Sequence, residues 1–388
     1  MKPVLHALAI GGAHQFAHFL PVACEIARRG RCRVRIFVSH ADEAAPIAQL
    51  ARGLGLPVPE IVAMDLPAPL AGCVPRKLDK LARLLVWAGR LRACDAILCA
   101  ERTSTLLRRL PGRCPPLIHI PHGAGDRRVG FERRFSLFDK VLVAGTKDRD
   151  RLIAEGVVAP GRCVVTGPVK VSAMLRIAAQ RAPLFASGRS VLLYNPHFDA
   201  RLGSAAAFTR RLVDAVAADD RYDLVIAPHV RMARDWDEAR RREWQAMAVP
   251  GRIVVDLGSE RSIDMTYTLA ADLYIGDVSS QVYEFLVRPR PCLFVNAHAA
   301  DWQGNEDYAM WRFGEVVDPD CDVAAAIARA FRDHPAYRAA QIERTRAAFD
   351  AIGWTDAGAP MFTGDDPIVR AADVVESAMS GAPPRPLA

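Results

Sequence analysis

Short apolar runs alternate with longer amphipathic segments along almost the whole of this 388-residue chain. A short apolar run is typical of a strand buried on both faces, and a helix-length segment between two such runs is typical of a βαβ unit. The runs in the first half are residues 4–10, 33–38, 96–99, 117–120 and 140–144. Those in the second half are residues 191–194, 223–226, 253–255, 273–275 and 292–295. The pattern predicts an α/β protein with parallel sheets covered by helices on both faces.

The pattern restarts after Gly167-Pro168, which divides the chain into two similar series. A length of 388 residues also suits two domains, and 51% hydrophobic residues exclude an intrinsically disordered protein. We therefore predict a Rossmann-like doubly wound domain over 1–166, a second one over 167–379, and a disordered tail over 380–388. In such sheets ligands bind beyond the carboxyl ends of the strands, so a cleft between the two domains is the expected site.

The positive charge of the chain is concentrated in its first half. Residues 1–165 contain 26 Lys and Arg against 14 Asp and Glu, whereas the remainder contains 25 against 30. Residues 76–151 alone contain 18 against 8. This distribution favours an anionic partner, but 7% aromatic residues and no recognised binding motif argue against nucleic acid.

Residues 76–92 space leucines at helical intervals and carry several cations and one tryptophan. Such a helix can lie on an anionic membrane surface. The alternative is an ordinary amphipathic helix whose leucines pack on the sheet while its arginines remain in solvent.

The nine cysteines form no Cys-x-x-Cys pair and lie mostly in apolar runs, so we predict reduced core residues and no metal site. This favours a cytoplasmic protein, either free or peripheral on the inner face of the membrane.

The first apolar run ends in a glycine- and histidine-rich loop, with Gly11, Gly12, His14 and His18. Glycines allow a ligand to approach the backbone, and the helix that follows offers free N–H groups. The loop therefore predicts substrate contact, with a tight structural turn as the alternative. It does not match the dinucleotide-binding pattern Gly-x-Gly-x-x-Gly.

A second loop, after residues 117–120, contains His122, Gly123 and Asp126. A histidine at a strand end is suited to act as a general base because its ordinary pKa lies near neutrality. Asp126 either orients this imidazole or pairs with Arg127 or Arg128. The alternative for His122 is a histidine satisfied by local backbone hydrogen bonds.

Two strands of the second half are each followed by proline and then histidine, which yields His197 and His229. Because proline cannot continue a strand ladder, each histidine is expected to turn out at the strand end. Arg231 follows in the second loop. We predict substrate contact here, with capping or core packing as the alternative.

Residues 271–284 combine a strand, Asp277, the pair Ser279-Ser280 and a helix start that includes Glu284. Serine hydroxyls and unpaired N–H groups at a helix start can form a phosphate cradle, and Glu284 would then reach a ribose. Ordinary N-capping is the alternative.

Taken together, these motifs resemble the GT-B superfamily. The opening GGAHQFAHFLPVACEIARRG is similar to the acceptor-side loop and first helix of glycosyltransferases. The order AILCAERTSTLL, IPHGAG, FDKVLVAGTKDRDRLIAEGV and VVTGPVK is similar to the first domain of UDP-N-acetylglucosamine 2-epimerases.

The second half resembles the teichoic-acid CDP-glycerol glycerophosphotransferases, which pair Trp-His-Gly, Pro-His and Thr-Asp-Tyr-Ser-Ser segments. The corresponding positions here are Pro121-His122-Gly123, Pro228-His229 and residues 276–280, with proline in place of the tryptophan and Val278 in place of the tyrosine. The Asp-Ser-Gly-Gly run of the epimerases is absent.

The resemblance implies transfer of glycerol phosphate, or a similar group, from a CDP-activated donor to a hydroxyl of a cell-envelope glycan or lipid. His122 and His229 would then be catalytic, and the nucleotide donor would be a substrate, with no further cofactor and no metal. The alternatives are a nucleotide-sugar glycosyltransferase with His14 or His18 as the base, a UDP-sugar 2-epimerase-like enzyme, and a non-catalytic membrane-surface module.

Overall fold

The computed structural model describes residues 2–70, 72–75, 77–127, 131–179 and 181–380. They form two parallel sheets with helices on both faces, which confirms the predicted α/β architecture. The strands of the first sheet are β1 (Val4–Ala9), β2 (Arg33–Val38), β3 (Glu60–Ala63), β4 (Ala96–Cys99), β5 (Leu117–His119), β6 (Lys140–Val143) and β7 (Cys163–Val165). Their order is β3-β2-β1-β4-β5-β6-β7.

The second sheet repeats this arrangement with six strands. They are β8 (Ser190–Asn195), β9 (Tyr222–Ile226), β10 (Ile253–Val255), β11 (Leu273–Gly276), β12 (Cys292–Val295) and β13 (Glu315–Val317). Their order is β10-β9-β8-β11-β12-β13, and all pairs are parallel. A separate antiparallel hairpin consists of β14 (Ile352–Trp354) and β15 (Pro360–Phe362).

Helices cover both sheets because the central strands are apolar on both faces. They are α1 (Phe16–Arg29), α2 (Ala44–Gly53), α3 (Asp79–Leu91), α4 (Thr146–Ala154), α5 (Val169–Ala178), α6 (Ala205–Ala217), α7 (Glu238–Gln245), α8 (Thr266–Ala270), α9 (Gln281–Phe285), α10 (Val323–Ala348) and α11 (Pro367–Ser380). Among the described residues, no helix has the length and apolar character needed to cross a membrane.

The last helix returns to the first sheet. α5 and α11 pack against α1, and Arg29 Nη1 lies 2.6 Å from Asp373 Oδ1 and 2.7 Å from Glu376 Oε2. The domain division at residue 167 stays a prediction, and the helices that follow it contribute to the packing of the first sheet. Ser380 ends α11, and residues 381–388 of the predicted tail lie outside the described residues.

Candidate functional site

Loops at the carboxyl ends of both sheets line one cavity of about 210 Å³. The loops follow β4, β5, β8, β9 and β11, so the cavity lies between the two sheets, where the strand pattern predicts a cleft. Its lining includes His122, Gly123, Arg127, His197, His229, Ser279 and Ser280.

The loop after β1 brings two histidines close to His122. The ring of His14 lies 5.7 Å from that of His122, and the ring of His18 lies 6.4 Å from it. Gly11 leaves room for the Gln15 side chain, since a Cβ at Gly11 would lie 1.7 Å from Gln15 Oε1. Gly12 has a φ of +102°, a conformation that favours glycine. Substrate contact by these residues stays a prediction.

His122 has a defined tautomer. Its Nδ1 lies 3.0 Å from the carbonyl oxygen of Ala100, which can only accept a hydrogen bond. The amide nitrogen of Gln15 is farther from the same atom, at 3.3 Å. We therefore assign the proton to Nδ1, which leaves the lone pair on Nε2. Burial lowers the pKa of His122, so the neutral base form persists at neutral pH.

His197 and His229 have the opposite tautomer. The Nδ1 of His197 accepts from the backbone N–H of Asp199 at 3.1 Å, and the Nδ1 of His229 accepts from that of Arg231 at 3.2 Å. The proton of each neutral ring is therefore on Nε2, which becomes a donor. Burial lowers the pKa of His197 to about 4 and that of His229 to about 3. The two rings lie 5.9 Å apart.

Two arginines bring positive charge to these histidines. Arg127 Nη1 lies 3.4 Å from His197 Nε2. Both atoms carry hydrogens in the assigned tautomer, so the pair has no acceptor of its own and is suited to an anion that accepts from both. Arg231 is exposed, with its guanidinium 4.3 Å above the ring of Phe198. The sequence suggested Arg127 only as a partner of Asp126. The position of Arg127 opposite His197 depends on how the two domains are oriented toward each other.

Asp277 shapes the loop that carries His197. Its carboxylate is fully buried, and Oδ2 accepts from the backbone N–H groups of His197 at 2.8 Å and Ser204 at 3.0 Å. Burial raises its pKa to about 6. These contacts are with the protein backbone, so Asp277 is better explained as a positioning residue than as the predicted substrate ligand.

Ser279 and Ser280 precede a short helix. α9 has five residues, so the helix dipole on which the predicted phosphate cradle relied is small. Ser279 Oγ accepts from the N–H of Gln281 at 3.2 Å. Ser280 packs against two glycines of the His122 loop. A Cβ at Gly123 would lie 3.1 Å from Ser280 Oγ, and a Cβ at Gly125 would lie 3.1 Å from Ser280 Cβ. The two predicted loops therefore meet across the cleft.

Asp126 links the two halves of the chain. Its Oδ2 accepts from Tyr283 Oη at 2.6 Å, while Oδ1 lies 2.8 Å from Arg344 Nη2 and 3.2 Å from Lys147 Nζ. The side chain is 1% exposed. These partners replace the predicted ones, His122 and Arg127, and Arg128 lies outside the described residues. Asp126 is thus a buried structural link rather than a free substrate ligand.

Glu284 is also engaged by a partner that the sequence did not suggest. Lys170, at the start of α5, donates from Nζ to Glu284 Oε1 at 2.6 Å, and both side chains are largely buried. The pair borders a small cavity together with His18. Lys170 is absent from the sequence prediction, and its position just after Gly167-Pro168 is the only sequence signal for it.

Among the described residues, no three metal-binding side chains come together.

Comparison with known proteins supports the fold. No family model matches the chain, and no curated protein matches it. A Listeria monocytogenes protein described as a putative UDP-N-acetylglucosamine 2-epimerase is 14% identical, with a TM-score of 0.67 over 99% of this chain and 98% of that one. The UDP-GlcNAc 2-epimerase of Neisseria meningitidis, bound to UDP-GlcNAc, is 13% identical, with a TM-score of 0.61 over 98% and 100%.

The wall teichoic acid polymerase TagF, in a structure soaked with CDPG, is 12% identical. Its TM-score is 0.63 over 98% of this chain and 89% of that one. These neighbours are enzymes of both types that the motifs resemble, and at such identities the likeness concerns the fold. The chain has the GT-B fold, with two doubly wound domains that face each other across a cleft.

Proposed function

We propose that this protein is a transferase that moves glycerol phosphate, or a similar group, from a CDP-activated donor to an acceptor hydroxyl. The observation that carries the proposal is that the histidines on opposite sides of the cavity hold their protons on different ring nitrogens. His122 offers a lone pair on Nε2 from the first domain, whereas His197 and His229 offer N–H donors from the second. A base opposite a group of donors suits attack by a hydroxyl on a phosphate.

In the proposed step, the acceptor oxygen attacks the β-phosphorus of the donor. The new oxygen–phosphorus bond forms as the bond to the bridging oxygen breaks, and CMP leaves. His122 Nε2 takes the hydroxyl proton. Phosphoryl transfer depends chiefly on positioning and on stabilisation of charge, and the N–H groups of His197 and His229 would supply that stabilisation together with Arg127.

Glycosyl transfer is the second candidate, and the proximity of His14 and His18 to His122 favours it. The acceptor would then attack an anomeric carbon, and a nucleoside diphosphate would leave. Burial lowers the pKa of His14 to about 4, so it too is a neutral base at pH 7. An epimerase-like reaction has less support, since the acids that line the cavity, Asp126 and Asp148, are both paired with Lys147.

The acceptor side is proposed to be the first domain, which holds the basic stretch 76–151. An anionic or lipid-linked acceptor suits this charge, and the protein would then work on the cytoplasmic side of the membrane.

The released nucleotide distinguishes these candidates. The protein is incubated with CDP-glycerol, UDP-sugars and membrane acceptors, and the products are separated by chromatography. Release of CMP supports the proposal, whereas release of UDP or another diphosphate supports glycosyl transfer. A lack of turnover with every donor contradicts both.

His122→Asn tests the base. It removes the Nε2 lone pair, so we expect kcat to fall by about 10²-fold or more. His334→Asn, on α10 away from the cavity, is the matched control and should retain the normal rate. Because the pKa of His122 is lowered, kcat/KM of the unaltered protein should be constant near pH 6.5 and decrease only at lower pH. A near-normal rate for His122→Asn would remove His122 from the mechanism.

A further inference from the structure

The outward face of α3 is apolar. Leu78, Leu81, Leu85 and Val86 are 50%, 37%, 47% and 43% exposed. Leu78, just before α3, is followed at intervals of three and four residues by Leu81 and Leu85, so these three lie on one side of the helix. Val86 lies about 100° around the helix axis from Leu85. The four residues make up half of the eight large hydrophobic residues that are exposed in the described part of the chain. We refer to these four side chains as the α3 apolar face.

This orientation departs in part from the one that an ordinary amphipathic helix adopts. Arg83 is turned inward, where Nη1 donates to the carbonyl oxygen of Met64 at 2.6 Å and Nε donates to Asp79 at 2.8 Å. Leu84 and Leu91 supply the contacts with the core. A helix that buries an arginine and exposes four aliphatic side chains leaves apolar surface in water. Such exposed apolar surface often marks an interaction site.

Cations and a tryptophan border the α3 apolar face. Lys77 and Arg90 are exposed near its two ends, whereas Arg76 lies outside the described residues. Trp87 is half-buried, and the guanidinium of Arg90 lies 4.8 Å from its ring centre. Aliphatic side chains between cations, beside a tryptophan, are typical of helices that lie in the interface of an anionic bilayer.

The first turn of α3 lies near the loop that carries Ala100. Lys80 Nζ lies 3.8 Å from Glu101 Oε2, and Glu101 follows Ala100, whose carbonyl oxygen contacts His122. α3 is therefore close in space to the loop that contacts His122.

We infer that the α3 apolar face docks on an anionic lipid bilayer, with Leu78, Leu81, Leu85 and Val86 in the acyl boundary and Lys77 and Arg90 at the phosphates. This inference rests on α3 alone and not on the proposed reaction. A second copy of the chain is a poorer occupant, since paired helices would bring like charges together. Four side chains also present far less area than each partner contributes to a stable interface, which is about 800 Å².

Vesicle sedimentation of the full chain, without donor or acceptor, tests the docking. Vesicles of phosphatidylcholine alone are compared with vesicles that contain about one-third phosphatidylglycerol. We expect binding to the anionic vesicles that weakens as salt increases. Leu81→Gln with Leu85→Gln should weaken that binding by about tenfold or more, and so should Lys77→Glu with Arg90→Glu.

Val249→Gln with Met361→Gln is the matched control, because both residues are exposed hydrophobics outside α3. This variant should bind as the unaltered protein does. Thermal unfolding of each variant verifies that it is folded.

Three results would overturn the docking: no binding of the unaltered protein to anionic vesicles, equal binding by Leu81→Gln with Leu85→Gln, or a dimer in light scattering that this double variant disperses. Since the vesicle assay contains no donor, loss of docking and loss of the proposed transfer activity are measured separately.

Discussion

The protonation of the cleft histidines is set by single backbone groups. His122 lies against a carbonyl oxygen, whereas His197 and His229 accept from N–H groups two residues further along their own loops. The sequence identifies all three as histidines at strand ends. It does not identify the tautomers, because those depend on which backbone atom each ring reaches.

Asp126 is a second position where a single side chain matters, here for the stability of the protein. Its removal leaves Arg344 and Lys147 without their shared carboxylate in a largely buried place. We expect Asp126→Ala to lower the free energy of unfolding by about 3–5 kcal/mol, as measured by urea denaturation.

Asp150→Ala is the control for that variant, because Asp150 is exposed and pairs with the neighbouring Arg149. It should change the stability by less than about 1 kcal/mol. Unchanged stability of Asp126→Ala together with a raised KM would instead favour the role in substrate binding that the sequence suggested.

The strands and helices follow the sequence pattern closely where they are buried. All ten runs that the apolar pattern identified are strands of the structure. β3, β7 and β13 were missed, and so were the hairpin strands β14 and β15. β3, β7 and β13 are short edge strands whose residues are mostly half-exposed. The helix predicted after Ser280 is α9, which ends at Phe285.

Close packing between α4 and α10 depends on Gly145. A Cβ there would lie 2.3 Å from the carbonyl oxygen of Ala347 and 2.4 Å from the carbonyl carbon of Ala348. Because backbone would have to shift, we expect Gly145→Ala to destabilise the protein by about 1–3 kcal/mol in urea denaturation.

The same substitution in α3 should have the opposite sign. A Cβ at Gly89 would meet no heavy atom within 4 Å beyond the backbone of its own helix and its chain neighbours, and alanine is the better helix former. Gly89→Ala should therefore stabilise the protein by about 0.5–1 kcal/mol. If the two variants had equal effects, the contact of Gly145 with α10 would not be the cause.

The protein as a whole buries several neutral histidines, which makes its stability sensitive to acid. Burial lowers the pKa of His14 and His197 to about 4, and that of His119 and His229 to about 3. The unfolded chain, with ordinary histidine pKa values near 6.5, binds more protons than the folded chain below that pH. The stabilisation is present above pH 6.5 and is lost as the pH falls toward 4.

We therefore expect the free energy of unfolding to decrease by about 3 kcal/mol or more between pH 7.5 and pH 5.5, where each such histidine costs about 1.4 kcal/mol. Asp277 opposes this change, since its raised pKa of about 6 adds stability on acidification. Glu43, whose pKa burial also raises, acts in the same direction, but the four histidines outnumber these two carboxyls. Urea denaturation at a series of pH values measures the difference.

His119→Phe isolates one of these contributions. The His119 ring stacks on Phe138 at 4.4 Å, so phenylalanine retains the packing and removes the titrating group. The loss on acidification should then shrink by about 1.4 kcal/mol. A stability that does not change between pH 7.5 and pH 5.5 would contradict the assignment of neutral buried histidines.

The sequence by itself determined the α/β class, the two strand series and the loops that line the cleft, because periodicity and strand-end residues are local properties of the chain. Only the tertiary structure decided which groups those loops contact. It paired Asp126 with Arg344 and Glu284 with Lys170, set Arg127 beside His197, and turned Leu81 and Leu85 of α3 outward. Each of these depends on residues far apart in sequence, since the direction a side chain faces is fixed by the packing of whole elements and not by its neighbours along the chain.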